Sequence, residues 1–466
     1  MTYAADLHLH SRYAYATSKN LTLESLAAWA RVKGIDLLSS ADFTHPVWRR
    51  ELERKLVPVS DGLYRFGGVS FVLGTELSCV YKQGGRSRRV HMLLFAPDFA
   101  TVAELCTAFS RVGAKLESDG RPTLPMSARD LTALALDVNP RCMVIPAHVW
   151  TPWFGLFGSK SGFGHLEECF LDMAPHIHAI ETGLSSDPAM NWNIREVAGR
   201  AIVSFSDAHS APKLGRELTV FEGELGYNEL AQALKHRQVA YSVEFYPEEG
   251  KYHYTGHRKC GIRHSPEDTQ RIGQRCPTCN RPLTLGVLHR INGLSDGEQA
   301  SHRDPAGFVQ NQEGFPPFIR LVPLLEIISE TLALGPSSKR VQKEYSCIIG
   351  ELGNELNILA WAEEADLVAA AGETLARNIL KARVGEVSIE PGYDGLYGKV
   401  TVAGARELAR CGLSSSPYER GELECGPSLP SASNPDRGPE PAPAGAPGWW
   451  QGRKRRRAPG LRSSGR

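Results

Sequence analysis

No run of eighteen apolar residues occurs in the 466-residue chain, and the N-terminus lacks a basic stretch followed by an apolar one. A membrane-spanning helix and a secretory leader are therefore not expected, and the reading is a soluble, cytoplasmic protein with no membrane partner. An excess of charge of one sign is missing too: 53 basic residues stand against 52 acidic ones, a formal net charge of +1. Bulk attraction to nucleic acid is thereby excluded, so any contact with a polyanion has to come from local patches. Cysteine is scarce, ten in all. That is too few for a disulfide scaffold at this length, and a Cys-x-x-Cys pair reads better as metal ligation in a reducing compartment. The length exceeds a single hydrophobic core and suggests two or three domains.

What the chain does have is histidine in acidic company. In Asp6-Leu7-His8-Leu9-His10 the alternation points two imidazoles the same way on an extended segment, as a chelate requires. Further along come Asp42 and His45 in SSADFTHP, Glu76 in VLGTELS, His91 in RVHMLLF, His148 in VIPAHVW, and Asp207 with His209 in SFSDAHS. Most follow a short apolar, β-rich run: IDLLSS, FVLGTE, CMVIPA, AIVSFS. Between these runs lie helical stretches, Leu21 to Val32, Thr101 to Leu116, Ser127 to Leu136 and Asn228 to His236. The βαβα alternation predicts a parallel β/α barrel, whose strand ends meet at one rim and gather ligands scattered over some two hundred residues. His, Asp and Glu together suit Zn²⁺, Mn²⁺ or Fe²⁺, and a carboxylate such as Glu76 can bridge two ions. Two metals about 4 Å apart offset charge growing on a phosphoryl oxygen, so phosphate-ester hydrolysis is the expected chemistry.

These motifs resemble those of the PHP (polymerase and histidinol phosphatase) metallophosphoesterases. SSADFTHPVW, HVWTPWFGLFGSKSGF and a cysteine module followed by RPLTLGVLHR sharpen the resemblance to the endonuclease Q family of PHP-type DNA repair nucleases, over roughly residues 1–412. The resemblance implies a distorted β/α barrel of PHP type, and a metal-dependent endonuclease cutting DNA 5′ to uracil, hypoxanthine, xanthine or an abasic site. The sliding clamp or other repair factors are further partners it suggests. It implies one metal on His8, His10, Glu76 and Asp207, a second on Glu76, His91 and His148, and a third position with His209, Asp42 and His45. Asp207, Glu76 and His209 are the residues it makes catalytic, with Mg²⁺ or Mn²⁺ for activity and Zn²⁺ also suited to the barrel. The chain departs from the wider family at Phe43, where a histidine usually follows the aspartate, and His45 is the substitute ligand. Glu181, ending HIHAIE, reads as a further rim carboxylate, either a ligand or a support for one. A PHP phosphatase acting on a small phosphomonoester such as histidinol phosphate is the alternative function, though it has no need of the modules that follow.

Residues 1–245 are assigned to the barrel. At 250–291, His257-x-x-Cys260 is followed by Cys276-Pro-Thr-Cys279, the spacing of a zinc-ribbon-like module with structural Zn²⁺; His253 and His264 are the alternatives to His257. Residues 292–314 read as a loop or linker, and 315–412 as a small α+β domain with helical periodicity from Phe318 and two strands in VSIEPGYDGLYGKVTV. Lys339, Arg340, Lys343, Arg377, Lys381 and Arg383 are either phosphate contacts or a solvated face. Beyond Leu413 the chain holds nine of its 30 prolines and ends GRKRRRAPGLRSSGR, a composition that predicts disorder. At the barrel mouth, Lys160 in GSKSGFG with Trp150, Trp153 and Phe154 could handle a backbone phosphate and a displaced base, or the aromatics could simply be buried.

Overall fold

Apolar alternation on both faces sets the architecture, a mixed α/β fold around a central mixed sheet. The structure, a computed structural model, describes residues 1–402 except Glu298. The first half runs β1 (Thr2–Asp6), α1 (Leu23–Lys33), β2 (Leu37–Ser39), α2 (Pro46–Lys55), β3 (Val57–Ser60), β4 (Leu63–Phe66), β5 (Val69–Gln83), β6 (Arg86–Ala96), α3 (Phe99–Arg111), β7 (Thr123–Leu124), α4 (Ala128–Val138), β8 (Met143–Pro146), β9 (Ala179–Glu181), β10 (Ala201–Val203), β11 (Leu218–Glu222), the helix Tyr227–His236 and β12 (Val239–Glu244). The four helices expected in this part all form, within a few residues of the expected ends. Side chains two apart share a strand face. Tyr3 and Ala5, Leu93 and Phe95, Met143 and Ile145, and Ala201 and Val203 accordingly meet in one apolar cluster, while Ala4, Leu38, Met92, Leu94 and Val144 pack outward against the helices. Burial on both faces is why these strands read as nearly continuous hydrophobic runs.

The pairing is not the all-parallel one expected. β1–β2 and β2–β5 are parallel, whereas β1–β11, β5–β6 and β6–β8 are antiparallel. For β5 and β6 the cause is the turn at Gly84 and Gly85, too short to hold a crossover helix, which makes the two strands a hairpin. β9 and β10 pair in parallel as a separate two-stranded sheet. A parallel bridge from Leu9 to Ala208 ties the segment after β10 to the one after β1.

Two expectations fail in the second half. A small hairpin, β13 (Thr255–His257) and β14 (Ile262–His264), opens the cysteine module. The stretch read as a linker then contains β15 (Ser301–Arg303) and β16 (Val309–Asn311), and FIR, read as helix, is β17 (Phe318–Arg320). β17 lies parallel to β12, with Ser242 opposite Phe318, so these strands extend the central sheet. The Arg320 guanidinium is bonded to the buried Asp187 and holds this edge. Helices Leu324–Leu332, Lys339–Leu352 and Glu364–Arg383, the last kinked at Gly372, follow the expected periodicity, and β18 (Val387–Glu390) pairs with β19 (Lys399–Val402) as expected. Arg383 donates to the carbonyls of Ile358, Leu359 and Ala362, which commits it to the fold rather than to a phosphate. The Pro-rich tail from 413 lies outside the described residues, among which no helix is long and apolar enough to cross a membrane.

Glu217, just before β11, and Glu244, the last residue of the paired β12, are both fully buried. Burial, and for Glu217 the charge of Glu244, pushes both carboxyls up, Glu244 to about 8, with Ser204 and Ser242 donating to Glu244 in partial opposition. A carboxyl whose folded pKa is raised binds more protons folded than unfolded, so its contribution to stability is lost as pH rises from about 4.5 to 8. Glu244→Gln keeps the shape without the charge. Its melting temperature should exceed that of the wild type by a few degrees, roughly, at pH 9 and fall less between pH 5 and 9. Parallel melting curves for the two proteins across that range would show that the buried charge is not what costs stability.

Candidate metal centre

His8 and His10, just past β1, share one side of an extended segment, and each is held by a carboxylate behind it. Glu181 accepts from His8 Nδ1 at 2.8 Å and 2.9 Å, and Asp42 lies 3.1 Å from His10 Nδ1. With each Nδ1 committed to a carboxylate, the Nε2 lone pair is aimed forward, the usual support of a metal-binding histidine. His8 Nε2, His10 Nε2 and Asp207 Oδ1 are all buried without a hydrogen-bond partner. They converge: His10 Nε2 is 3.2 Å from both Asp207 Oδ1 and Glu76 Oε2. Orphaned buried polar atoms are costly, and here the donor types are those that a divalent cation takes up.

Glu76 is the centre of the arrangement. Its Oε2 faces His8 and His10, and its Oε1 lies 2.6 Å from His91 Nδ1 and 3.2 Å from His148 Nε2. Two groups thus share it: His8, His10, Glu76 and Asp207, and Glu76, His91 and His148, the ligand atoms in each within 4.8 Å of one another. Glu76 and His91 are not at strand ends, since β5 continues to Gln83. The hairpin register brings them together, with His91 opposite Ser78, two residues along the face from Glu76.

Backbone strain marks the loops of the site. Asp42, His148 and Asp207 have φ of 38°, 30° and 46°, a left-handed conformation that costs about 1–3 kcal/mol each and that accumulates at functional positions. Arg216 donates to the carbonyls of Ser206 and Asp207 and holds one such turn. Burial disfavours charge on His8 and His10, but the surrounding carboxylates, Glu181 and Asp207 at His8 and Asp42 at His10, win and raise both imidazoles well above the ordinary value. Glu76 is held well down against its burial by His91, Arg121 and His8. His91 is pushed down to about 4 by burial. A cluster in which buried carboxylates force protons onto histidines is one that a cation suits better.

Asp42 does not join either group: its second oxygen accepts from Ser11 N at 2.6 Å, so both oxygens are occupied. His45 stacks on Tyr13 at 4.4 Å with its Nδ1 buried and unpaired, and His209 leans on the Asp207 carbonyl at 2.9 Å. Glu181 also accepts from His148 N at 2.7 Å, which makes it a support for two histidines. Of the aromatic residues expected to meet DNA, Trp150 is fully buried, donating to Asn191, and is corrected to a core residue. Phe154 covers His91 at 4.3 Å, while Trp153 and Lys160 are exposed. Sequence reasoning missed Arg121, whose guanidinium donates to Glu76 Oε2 at 3.0 Å. Its setting, SDGRPT, has the composition of an ordinary turn.

A third group, His257, Cys260, Cys276 and Cys279, gathers at the tip of the β13–β14 hairpin and the knuckle that follows. The Cys276 N–H to Arg281 and Asn280 N–H to Cys276 bonds close the knuckle, with Asn280 at φ 56°. Desolvation opposes the Cys276 thiolate, but backbone N–H groups and His257 bring it down to about 6. His253 and His264 lie elsewhere, each buried with an unpaired Nδ1.

The family model of the MJ0043 C-terminal domain matches residues 323–386. Protein MJ0043 of Methanocaldococcus jannaschii is 32% identical over 260 residues, 54% of this chain, which spans 31% of that protein's length. YqxK of Bacillus subtilis is 28% identical over 420 residues, 85% of this chain and 98% of its own. Among solved structures, the lesion-specific endonuclease PfuEndoQ from Pyrococcus furiosus superposes with a TM-score of 0.75 at 29% identity, covering 86% of this chain and 96% of its own. Endonuclease Q in complex with a 27-mer duplex bearing an abasic lesion at the active site gives the same score and identity over 90% of this chain and all of that one. Alike in sequence and in fold over most of its length, the chain is a homologue of endonuclease Q.

Proposed function

We propose that this protein is a metal-dependent endonuclease that nicks DNA on the 5′ side of a damaged nucleotide. The observation that carries the reading is the convergence of unpaired buried His8 Nε2, His10 Nε2 and Asp207 Oδ1 on Glu76, in a fold matching that of an endonuclease bound to lesion-bearing DNA. His8, His10, Glu76 and Asp207 would hold one divalent cation and Glu76, His91 and His148 a second. When bound, such a pair supplies Lewis-acid stabilisation of phosphoryl charge and lowers the pKa of water. Glu181 and Asp42 keep three imidazoles oriented, through His8, His10 and the His148 backbone. His209 stands beside Asp207 as a rim group, and Phe154 shields His91. Zn²⁺ on His257, Cys260, Cys276 and Cys279 would brace the module at 250–291, with the barrel at 1–245 and the C-terminal helices from Leu324.

Deaminated bases and abasic sites are the proposed lesions. Deamination turns an amino donor beside a ring acceptor into a carbonyl beside an N–H, so a pocket reading the reversed pattern on a flipped base accepts uracil and hypoxanthine and leaves cytosine and adenine unpaired. Duplex DNA with one uracil or one abasic site, incubated with the full chain and Mn²⁺ or Mg²⁺, should be nicked immediately 5′ to the lesion with a 3′-hydroxyl, while lesion-free DNA survives. Cleavage 3′ to the lesion, equal cutting of undamaged DNA, or hydrolysis of histidinol phosphate alone would overturn the reading.

A further inference from the structure

Arg121 is the one permanently charged residue in ion-pair contact with the cluster's carboxylates among the described residues. Its placement is firm. The Arg121 N–H donates to Asp119 Oδ1 at 3.1 Å, and that oxygen also accepts from Tyr15 N. Gly120 donates to the Tyr13 carbonyl, and a Cβ at Gly120 would meet Asp42 Oδ2 at 2.5 Å. The loop carrying Arg121 is therefore seated on the carboxylate that orients His10, and a side chain at Gly120 would lift it away. The guanidinium side chain is 20% exposed, so it reaches from the buried Glu76 toward solvent.

Arg121 is paired with Glu76, whose carboxyl is held well down and carries a full negative charge. That pairing would weaken if Glu76 served as a ligand to both groups' cations, and a fixed positive charge would then stand beside a positive centre. Such a charge is costly unless an anion arrives to share it. A guanidinium presents five N–H donors in a planar fork matched to phosphate oxygens, and only NH1 is engaged by Glu76. Resting on the phosphoester reading above, we propose that Arg121 is a catalytic residue: it passes from Glu76 to the non-bridging oxygens of the phosphate and holds them in the metal-loaded site.

Titration calorimetry with inorganic phosphate on the full chain tests this, with and without Mn²⁺ and with bound manganese measured in parallel. The wild type should bind phosphate only when manganese is present. Arg121→Met should weaken that binding about tenfold or more at unchanged manganese content, the range of a charged hydrogen bond. Arg121→Lys keeps the charge, loses the fork, and should fall between; it carries the test if the methionine variant fails to fold. Equal phosphate affinity in both variants, phosphate binding without manganese, no binding to the wild type, or loss of manganese with unchanged affinity per bound metal would each overturn the role, the last by showing that Arg121 merely supports Glu76. If lesion DNA is not cut by the wild type but phosphate binding depends on Arg121, the nuclease reading falls and this one stands. If lesion DNA is cut and Arg121→Met binds phosphate like the wild type, only this inference falls.

Discussion

Asp207→Asn should lower hydrolysis at least about a thousandfold and release metal, with the fold intact. The carboxylate contributes one of three unpaired atoms that converge on Glu76, and an amide oxygen there is a neutral, much weaker ligand for a hard cation. The fold should survive because asparagine tolerates the left-handed backbone that Asp207 adopts at φ 46°. Against its desolvation the Asp207 charge is stabilised by His8 and His10, so the amide should cost some stability without unfolding the chain. His8→Ala should have a comparable effect on activity and cost more stability, since Glu181 then loses a hydrogen-bond partner inside the protein. Metal analysis, circular dichroism and a cleavage assay on the same preparations decide the matter. A variant that retains metal and cuts normally would refute the site.

Cys276→Ser should release one zinc ion and unfold the module around it while leaving the sheet in place. Between Thr255 and Leu283 few apolar residues are buried, Cys276 and Leu283 among them, so a core cannot substitute for the metal. Apparent binding free energies of structural zinc are about 10–16 kcal/mol, and in such modules that energy is folding energy. Limited proteolysis should then cut within residues 255–283, with zinc content falling by one equivalent. Unchanged zinc stoichiometry with undiminished protease resistance would reject the assignment.

The period-two alternation of His8 and His10, the Cys-x-x-Cys knuckle and the apolar strand runs were legible because each is a local pattern: backbone geometry alone converts the spacing into a shared face or a closed loop. The helices at 23–33, 99–111, 128–138 and 227–236 were legible for the same reason. Local pattern also misled. FIR reads as the start of a helix because Leu324 onward is periodic, yet pairing with β12 makes it a strand, and a hydrogen-bonding partner some 75 residues away has no local signature. Trp150 sits in a run of aromatics beside the site, but whether a ring faces solvent or Asn191 depends on what packs over it. The division of labour among the acids was equally hidden. Asp42 and Glu181 are the same chemistry as Asp207 and Glu76, and they become supports only because the folded chain places them behind the imidazoles instead of in front. Arg121 enters the site through a turn with no periodicity, carried there by the packing of Gly120 on Asp42. Residue type and spacing therefore establish which ligands are available, while direction, burial and partner, which set the role of each, are long-range properties of the packed fold.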